Sequence, residues 1–337
     1  MDSSTSGGAT MLKGAGLLAV LAFPLLGFSD YVLHIAISIL LWGFVYTSWS
    51  IMGRFGLVSL GHGAFLGVGA YGTAMLWNHF GLTPWVGIPI SIAISALIGL
   101  LIGLPCFRFR ITGHYFALVT LALTEVARLL IVALRDQTGG SLGVTPVGMV
   151  SPENPVSLYA LQFASKTVWF YIIVAVWLGG LLIWRAVDRS MLRYAMEAIS
   201  QEEDAAASLG VSVTRTKLTV TVISAAMTAF GGAVYGQYQQ YINPETVSGI
   251  AISLQIVFAV IAGGMFVQLG PTVGAVITLL LGEGLRLGFG HQFHGLDVMV
   301  YGLMLVLFII YMPRGVLGKA IEVVTARTTR PSVQPGE

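Results

Sequence analysis

Two pairs of opposite charges, each set within an apolar run, are the residues best placed to do chemistry. Glu125 precedes Arg128 by three positions, and Glu283 precedes Arg286 by three. A charge at the centre of a bilayer costs about 2.5 kcal/mol or more and tends to pair. We interpret the arginines as partners in intrahelical ion pairs near the outer interface. For Glu125, which lies deeper in its run, a place on a polar path for a zwitterionic solute is an equal alternative.

The histidines and the cysteine predict no metal site. His62 and His114 have no second ligand type at metal-binding spacing, and His291 and His294 lie three apart in a short loop that predicts solvated side chains. The single cysteine, Cys106, excludes an internal disulfide. We also find no catalytic grouping of acids with histidine, or of serine with lysine, at one depth. The sequence therefore predicts no metal, no cofactor and no enzymatic activity in this chain.

The composition is that of a membrane protein. Hydrophobic residues make up 56% of the chain, charged residues 9%, and the mean hydropathy is +0.85. Soluble domains carry about 25% charged residues. The apolar runs are about 20 residues long, the length of a transmembrane helix, not the roughly ten-residue alternating segments of a membrane barrel. The predicted fold is an all-α polytopic bundle.

About ten transmembrane helices are predicted. Some of them are candidates for broken helices. The predicted spans are 11–28, 32–52, 57–77, 86–107, 114–134, 168–187, 217–238, 250–265, 271–289 and 297–312.

The distribution of lysine and arginine predicts the orientation. If residues 188–216 are cytoplasmic, alternation of ten spans places 13 of the 17 basic residues on the cytoplasmic side, as the positive-inside rule requires. Both termini are then cytoplasmic. The predicted organisation is a disordered tail at 1–10, a transmembrane domain at 11–316 with an external loop at 135–167 and a cytoplasmic loop at 188–216, and a cytoplasmic tail at 317–337.

Glycines crowd the third span. Gly61, Gly63 and Gly67 lie among six glycines between positions 56 and 72. Each costs about 1 kcal/mol relative to alanine in a helix, but small residues let membrane helices approach closely. Tight packing is one interpretation. A broken helix that lines a translocation path is the other.

A polar island interrupts the apolar chain. Residues 185–217 hold ten of the 32 charged side chains. The sequence from Ser200 to Glu203 has the pattern of a capping box, three alanines follow, and Gly210 suits a left-handed helix end. We therefore predict a short, bounded helix at 201–209 that lies in water, where it can meet a soluble partner.

Several segments together carry a family resemblance. They are SLGHGAFLGVGAYG (59–72), GHYFALVTLALTEVAR (113–128), TGGSLGV (138–144), RYAMEAISQEEDAAASLGVSV (193–213), KLTVTVISAAMTAFGGAVYG (217–236) and GPTVGA (270–275). In order and spacing they cover most of residues 32–315, and the chain resembles the LivM family of inner-membrane permeases of ABC importers for branched-chain amino acids. Residues 263–269 depart from the GGLGT-like turn common in that family.

The resemblance implies that the chain is one subunit of a multi-subunit transporter. Its expected partners are a LivH-like second permease subunit, two cytoplasmic ATP-binding subunits, and a periplasmic or lipid-tethered solute-binding protein, in the bilayer of a bacterial inner membrane. ATP would bind to the partners, since this chain lacks the phosphate-binding motif G-x-x-x-x-G-K-[ST]. No nucleic acid is expected. The resemblance assigns ATPase coupling to Ser200, Gln201, Glu202, Glu203, Asp204, Ala205, Ala206, Leu209 and Gly210.

The resemblance defines the transported solute less closely than the subunits of the complex. The resemblance implies import of branched-chain or other hydrophobic amino acids by alternating access. Relatives of the same family import urea or short amides, so that alternative stays open. An ion-coupled secondary transporter is a further alternative, although such proteins usually carry more acids within the membrane. Gly61, Gly63, Gly67 and Glu125 are the candidate residues of the solute path.

Overall fold

The computed structural model describes most of the chain. The described residues are 16, 18–151, 153–289, 299–300, 302–303, 306–307, 310, 315–319 and 322. The predicted tail at 1–10 lies outside this range, as do most of the tail at 317–337 and much of the tenth predicted span.

Helices account for nearly all of the described regular structure. Ten of them carry labels here: α1 Asp30–Gly53, α2 His62–Phe80, α3 Pro84–Arg108, α4 Gly113–Ala133, α5 Lys166–Arg189, α6 Met191–Gln201, α7 Glu203–Ser208, α8 Val213–Gln239, α9 Ile250–Gly263 and α10 Gly270–Phe289. Single helical turns lie at Phe23–Leu26, Arg135–Thr138, Gly140–Leu142 and Pro244–Val247.

Six segments in the described range are long and apolar enough to cross a membrane. They are Asp30–Gly53, Pro84–Arg108, Gly113–Ala133, Lys166–Arg189, Val213–Gln239 and Pro244–Gly263. The prediction of an all-α polytopic membrane protein is thus supported, whereas the count of about ten spans stays a prediction. The predicted third span is placed too early, because residues 57–61 are not helical and α2 begins only at His62.

Two helices form the centre of the bundle. α1 is buried without interruption from Leu40 to Gly53, and it packs against α5, α8 and α10. α8 packs against α1, α2 and α3. The apolar side chains of α3 and α4 are largely exposed in this chain, among them Leu101, Leu118 and Leu130, so these helices form the outer wall of the bundle.

Glycines allow a close crossing of α2 and α8 in this core. A methyl group at Gly69 of α2 would collide with the backbone of Ala229 on α8, and one at Gly232 of α8 would collide with the backbone of Leu66 on α2. Without Cβ atoms at these two positions the helix backbones touch directly, which is how small residues promote packing in membranes.

The helix connections sort into two ends. Residues 54–56, 109–112, 190–212 and 264–269 lie together at what we call the α6–α7 end: Arg54 pairs with Asp188, Arg110 pairs with Asp204, and Phe266 lines a cavity with Arg54.

The connections at 134–165 and 240–249 lie at the opposite end. There Val144 pairs with Ile242 in a β-bridge, and Trp85 donates a hydrogen bond to the carbonyl of Leu158. The long 134–165 connection contains a two-stranded hairpin, β1 Val156–Ser157 and β2 Gln162–Phe163, which the sequence did not predict.

Candidate functional site

α6 and α7, which we call the α6–α7 unit, form the central part of the charged segment 185–217. α6 is amphipathic: Met196 and Ile199 are buried, while Met191 and Tyr194 are exposed on the other side. Glu202 then adopts an extended conformation, with φ −154° and ψ 112°, and separates α6 from α7.

The capping box predicted at Ser200 is wrong. Ser200 lies within α6, and its hydroxyl donates to the carbonyl of Glu197 at 2.8 Å. Within a helix that carbonyl, three residues back, is a nearer partner than any amide ahead. Glu202 is the N-cap of α7 and makes no side-chain capping bond. α7 therefore runs from Glu203 to Ser208 and is shorter than the predicted 201–209.

The end predicted at Gly210 is confirmed. Gly210 has φ +89°. Its amide donates to the carbonyl of Ala207 at 2.9 Å, and the amide of Val211 donates to that of Ala206 at 3.1 Å. This pair of bonds is the Schellman motif, and the left-handed conformation favours glycine.

Most of the predicted coupling residues are exposed. Leu209, at the tip, has 84% of its surface exposed, and Glu203 is half-buried while Ala206 is buried against the bundle. The exposed members are Ser200, Gln201, Glu202, Asp204, Ala205, Leu209 and Gly210.

A buried lysine fixes α7 to the membrane helices. Lys217 of α8 is 4% exposed, and its Nζ lies 2.6 Å from Oε2 of Glu203. The ring of Phe107 lies 5.8 Å from the same ammonium group. The neighbouring pair between Arg110 and Asp204, at 2.9 Å, is 68% and 69% exposed and therefore contributes little.

A buried arginine fixes α6. Arg54 follows α1, is 5% exposed, and donates to Oδ1 of Asp188 at 2.9 Å. Its guanidinium lies over the rings of Trp184 and Phe55, at 4.3 and 4.7 Å from their centroids. Asp188 also accepts from Arg193 of α6 at 3.4 Å, so one carboxylate joins the end of α1 to α6.

The electrostatics of this group follow from burial and pairing. Burial lowers the pKa of Arg54, and the Asp188 carboxylate opposes that shift. The hydrogen bond to Glu197 raises the pKa of Arg193. A cavity of about 730 Å³, lined by both arginines and by Phe266, opens beside them.

A second polar group lies among the membrane helices, where the non-helical segment 57–61 passes between them. Leu60 donates its amide to Thr120 Oγ1 at 2.9 Å and accepts from Thr124 Oγ1 at 2.8 Å. The carbonyl of Ser59 accepts from the indole of Trp49 at 2.7 Å. Side chains of α1 and α4 thus satisfy a backbone that a helix would have satisfied by itself.

The first turn of α2 continues this group. Gly63 donates its amide to Ser253 Oγ at 3.0 Å, and His62 Nε2 lies 2.8 Å from Ser224 Oγ. His62 is fully buried, and its Nδ1 has no hydrogen-bond partner among the described residues. We call Leu60, His62, Gly63, Thr120, Thr124, Ser224 and Ser253 the polar cluster.

The polar cluster lies near the middle of the bundle. Ser224 lies eleven residues from the start of α8, and Thr124 lies eleven residues from the start of α4. Ser253 lies ten residues before the end of α9. At 1.5 Å per residue this is about 16 Å from the α6–α7 end, roughly half the thickness of a bilayer core.

The three candidate glycines are packed against this cluster. A methyl group at Gly61 would lie 3.1 Å from Cβ of Thr120, and one at Gly63 would lie 2.8 Å from Oγ of Ser253. At Gly67 it would lie 2.6 Å from Cβ of Ser248. The close contacts support the packing interpretation of these glycines and leave their place on a solute path as a proposal.

Glu125 belongs to a separate group of three charges. Arg128 Nε lies 3.1 Å from both carboxylate oxygens of Glu125, and its Nη1 lies 2.9 Å from Glu245 Oε1. The predicted intrahelical pair is therefore present, with Glu245 as a third member that the sequence did not indicate. Of the second predicted pair, the side chain of Arg286 lies outside the described residues, and Glu283 accepts a hydrogen bond from Tyr31.

Metal ligands do not gather in the described part of the chain. No group of three or more His, Cys, Asp or Glu side chains there could hold a metal ion. His291 and His294 lie outside the described residues.

Comparison with known proteins identifies the family. Residues 31–310 match the family described as the permease component of the branched-chain amino acid transport system. The chain belongs to this permease family. The high-affinity branched-chain amino acid transport system permease protein LivM of Salmonella typhimurium is 32% identical over 290 residues, and that of Escherichia coli is 31% identical.

The coverage of these relatives is partial. Each alignment includes 79% of this chain and 65% of the relative, so this permease spans about two thirds of the length of the LivM proteins it matches. A protein of Methanocaldococcus jannaschii named "Probable branched-chain amino acid transport permease protein LivH" is 25% identical over 76% of the chain and 81% of its own length. No solved structure matches the chain.

Sequence reasoning missed the partners of the buried charges in this permease. Glu203 and Lys217 are 14 residues apart, and Arg54 and Asp188 are 134 apart, so neither pair follows from helical spacing. The available signal was the position of Lys217, a cation that opens a long membrane helix next to an acidic stretch.

The two aspartates at the α6–α7 end allow a test of these contacts. Asp188→Asn leaves the buried Arg54 without a counter-charge, a loss that costs about 3–5 kcal/mol when an ion pair is fully buried and less here, because Asp188 is 26% exposed. Asp204→Asn breaks an exposed pair worth about 0–1 kcal/mol. Thermal unfolding in detergent should show the larger decrease in melting temperature for Asp188→Asn. Equal decreases would contradict this assignment of Arg54.

Proposed function

We propose that this chain is a membrane-spanning permease subunit of an ATP-driven importer. It passes a small polar solute, foremost a branched-chain or other hydrophobic amino acid, into the cytoplasm. The structural observation that carries the proposal is α7: a bounded helix with an exposed tip, held to the membrane helices by a buried ion pair. Family membership and the names of the LivM relatives support the solute class.

The proposed location is the bacterial inner membrane, with the α6–α7 end and both termini in the cytoplasm. Arg54, Arg110, Arg193 and Lys217 all lie at the α6–α7 end. Lys166 begins α5 at the opposite end. Membrane proteins keep such an excess of basic residues on the cytoplasmic side.

The proposed partners follow from the absence of an ATP site in the sequence and from the exposed α7. Two separate ATP-binding subunits dock on the α6–α7 unit, through Asp204, Ala205 and Leu209. A LivH-like second permease subunit completes the membrane part, for which the exposed apolar faces of α3 and α4 provide a surface. A periplasmic or lipid-tethered binding protein delivers solute to the opposite end.

The proposed mechanism is alternating access. Closure of the ATP-binding subunits displaces α7, and because α7 is paired with α8 the displacement reaches the membrane helices. The ATPase shifts the equilibrium only to the extent that it holds α7 differently in the two states.

The proposed solute path follows the polar cluster and Glu125. Broken helices whose amino-terminal ends lie at mid-membrane line the binding sites of many transporters, and α2 begins at that depth beside hydroxyl groups. Gly61, Gly63 and Gly67 let the surrounding helices approach this point. Glu125 lies farther toward the opposite end, where solute would arrive.

Co-purification and cellular uptake assays together test the proposed function as a whole. The chain should co-purify with a separate ATP-binding protein, and amino acid uptake into cells should stop when ATP is depleted. Uptake that continues without ATP but stops with an uncoupler would instead indicate an ion-coupled transporter. Competition of the same uptake by urea or acetamide would indicate the alternative solute class.

Gly210 tests the coupling role of α7. Gly210→Val forces a β-branched residue into a conformation at φ +89°, which such residues rarely adopt, and so displaces the tip of the helix. The variant should insert normally and yet lose solute-stimulated ATP hydrolysis and uptake together. Gly148→Val, in the connection at the opposite end where an added methyl group meets no atom within 4 Å, is the control. Normal stimulated uptake in Gly210→Val would exclude the coupling role.

Glu125 tests the outer part of the path. Glu125→Gln keeps the shape of the side chain but removes the charge that a solute ammonium group would meet. Uptake measured at matched expression should fall several-fold, whereas Glu153→Gln, on an exposed connection, should have no effect. Unchanged uptake in Glu125→Gln would remove this residue from the path and leave it as the partner of Arg128.

A further inference from the structure

The α6–α7 unit is attached to the bundle at two separate places, each through a buried cation. α6 is joined through Arg193 and Asp188 to Arg54, which follows α1. α7 is joined through Glu203 to Lys217, which lies near the start of α8. The two ion-pair attachments therefore lead to α1 and to α8, and α6 also packs directly against α8.

The backbone between the attachments is not helical. Gln201 ends α6, Glu203 begins α7, and only the extended Glu202 lies between them. Its amide donates to Ala198 and its carbonyl accepts from Ala206, at 3.1 Å each. A single extended residue between two helices can change its φ and ψ angles without breaking either helix, as hinge residues do.

The attachment of α7 is difficult to break. Lys217 is 4% exposed, and Glu203 is the only carboxylate within 4.0 Å of its ammonium group among the described residues. Separation of the two would leave a buried charge with no counter-charge, which is strongly unfavourable. The ring of Phe107, 5.8 Å from the ammonium group, is a weak substitute for a counter-charge.

We infer that Lys217 is a positioning residue which makes α7 and α8 move as one body, while Glu202 is the joint that lets this body turn against α6. The inference rests on the proposed function, since it assigns the link that carries ATP-driven motion into the membrane. It adds that the motion of α7 reaches the membrane helices through α8, and that the exposed pair between Arg110 and Asp204 does not contribute to this transmission.

The experiment compares variants in the complete complex reconstituted in liposomes, with solute transported and ATP hydrolysed measured together. Lys217→Met keeps the length of the side chain and removes its charge. Solute transported per ATP should fall roughly fivefold or more, the lower end of coupling between distant sites. Co-purification of the ATP-binding subunits should not change, because the docking face is intact. A merely structural role would lower the amount of complex and leave the ratio unaltered.

Four further variants sharpen the comparison. Lys217→Arg, which keeps a cation, and the exchanged pair Glu203→Lys with Lys217→Glu should recover a substantial part of the ratio. Arg110→Gln breaks the exposed pair with Asp204 of α7. This variant should leave the ratio of solute transported to ATP hydrolysed at the wild-type value. Glu203→Gln, in which the half-buried acid becomes a neutral acceptor, should lower it less than Lys217→Met.

The outcomes separate the inference from the function on which it rests. A normal ratio in Lys217→Met or in Glu203→Gln overturns the role of Lys217, while the wild-type complex still couples uptake to ATP. Loss of the ratio in Arg110→Gln to the same degree also overturns it. A wild-type complex that hydrolyses ATP without importing solute would instead refute the proposed function.

Discussion

Non-helical backbone within a membrane must find hydrogen-bond partners in the protein, and the architecture around residues 57–61 follows from this constraint. Trp49 and two threonines of α4 supply those partners, and Ser253 supplies one to the first turn of α2. Because these donors and acceptors come from three different helices, α1, α4 and α9 have to meet at one depth. The non-helical segment 57–61 therefore fixes the packing of these helices as well as the position of the polar cluster.

α8 runs from the α6–α7 end past the polar cluster and along α2. Lys217 lies near the start of α8 at the α6–α7 end, and Ser224, seven residues farther along the helix, contacts His62. Gly232, eight residues beyond Ser224, touches the backbone of α2. At 1.5 Å per residue, about 10 Å of continuous helix separate the buried cation from the polar cluster. A rigid element of this length transmits a displacement without any chain of intervening side-chain contacts.

The sequence predicted the class of fold because apolar length and charge placement are local properties, and Gly210 was recognisable because a left-handed helix end favours glycine. Ser200 failed as a cap because the same hydroxyl had a competing partner inside α6, and only the observed break at Glu202 decides between them. The partners of Arg54 and Lys217 depend on which helices are neighbours, and the hydroxyls of the polar cluster depend on helix rotation. Residue spacing reveals neither which helices are neighbours nor how each helix is rotated. The glycines packed against the polar cluster could be recognised directly in the sequence.

α7 is too short to be stable by itself, since isolated helices of fewer than about 12 residues are marginal in water. Its conformation depends on the Schellman bonds at Gly210, on the burial of Ala206 and on the pair between Glu203 and Lys217. Two of these three bind it to the bundle, so its position is set by α8 more than by its own sequence. In the proposed complex, a partner that binds the exposed face of Asp204, Ala205 and Leu209 would therefore displace α8 together with α7.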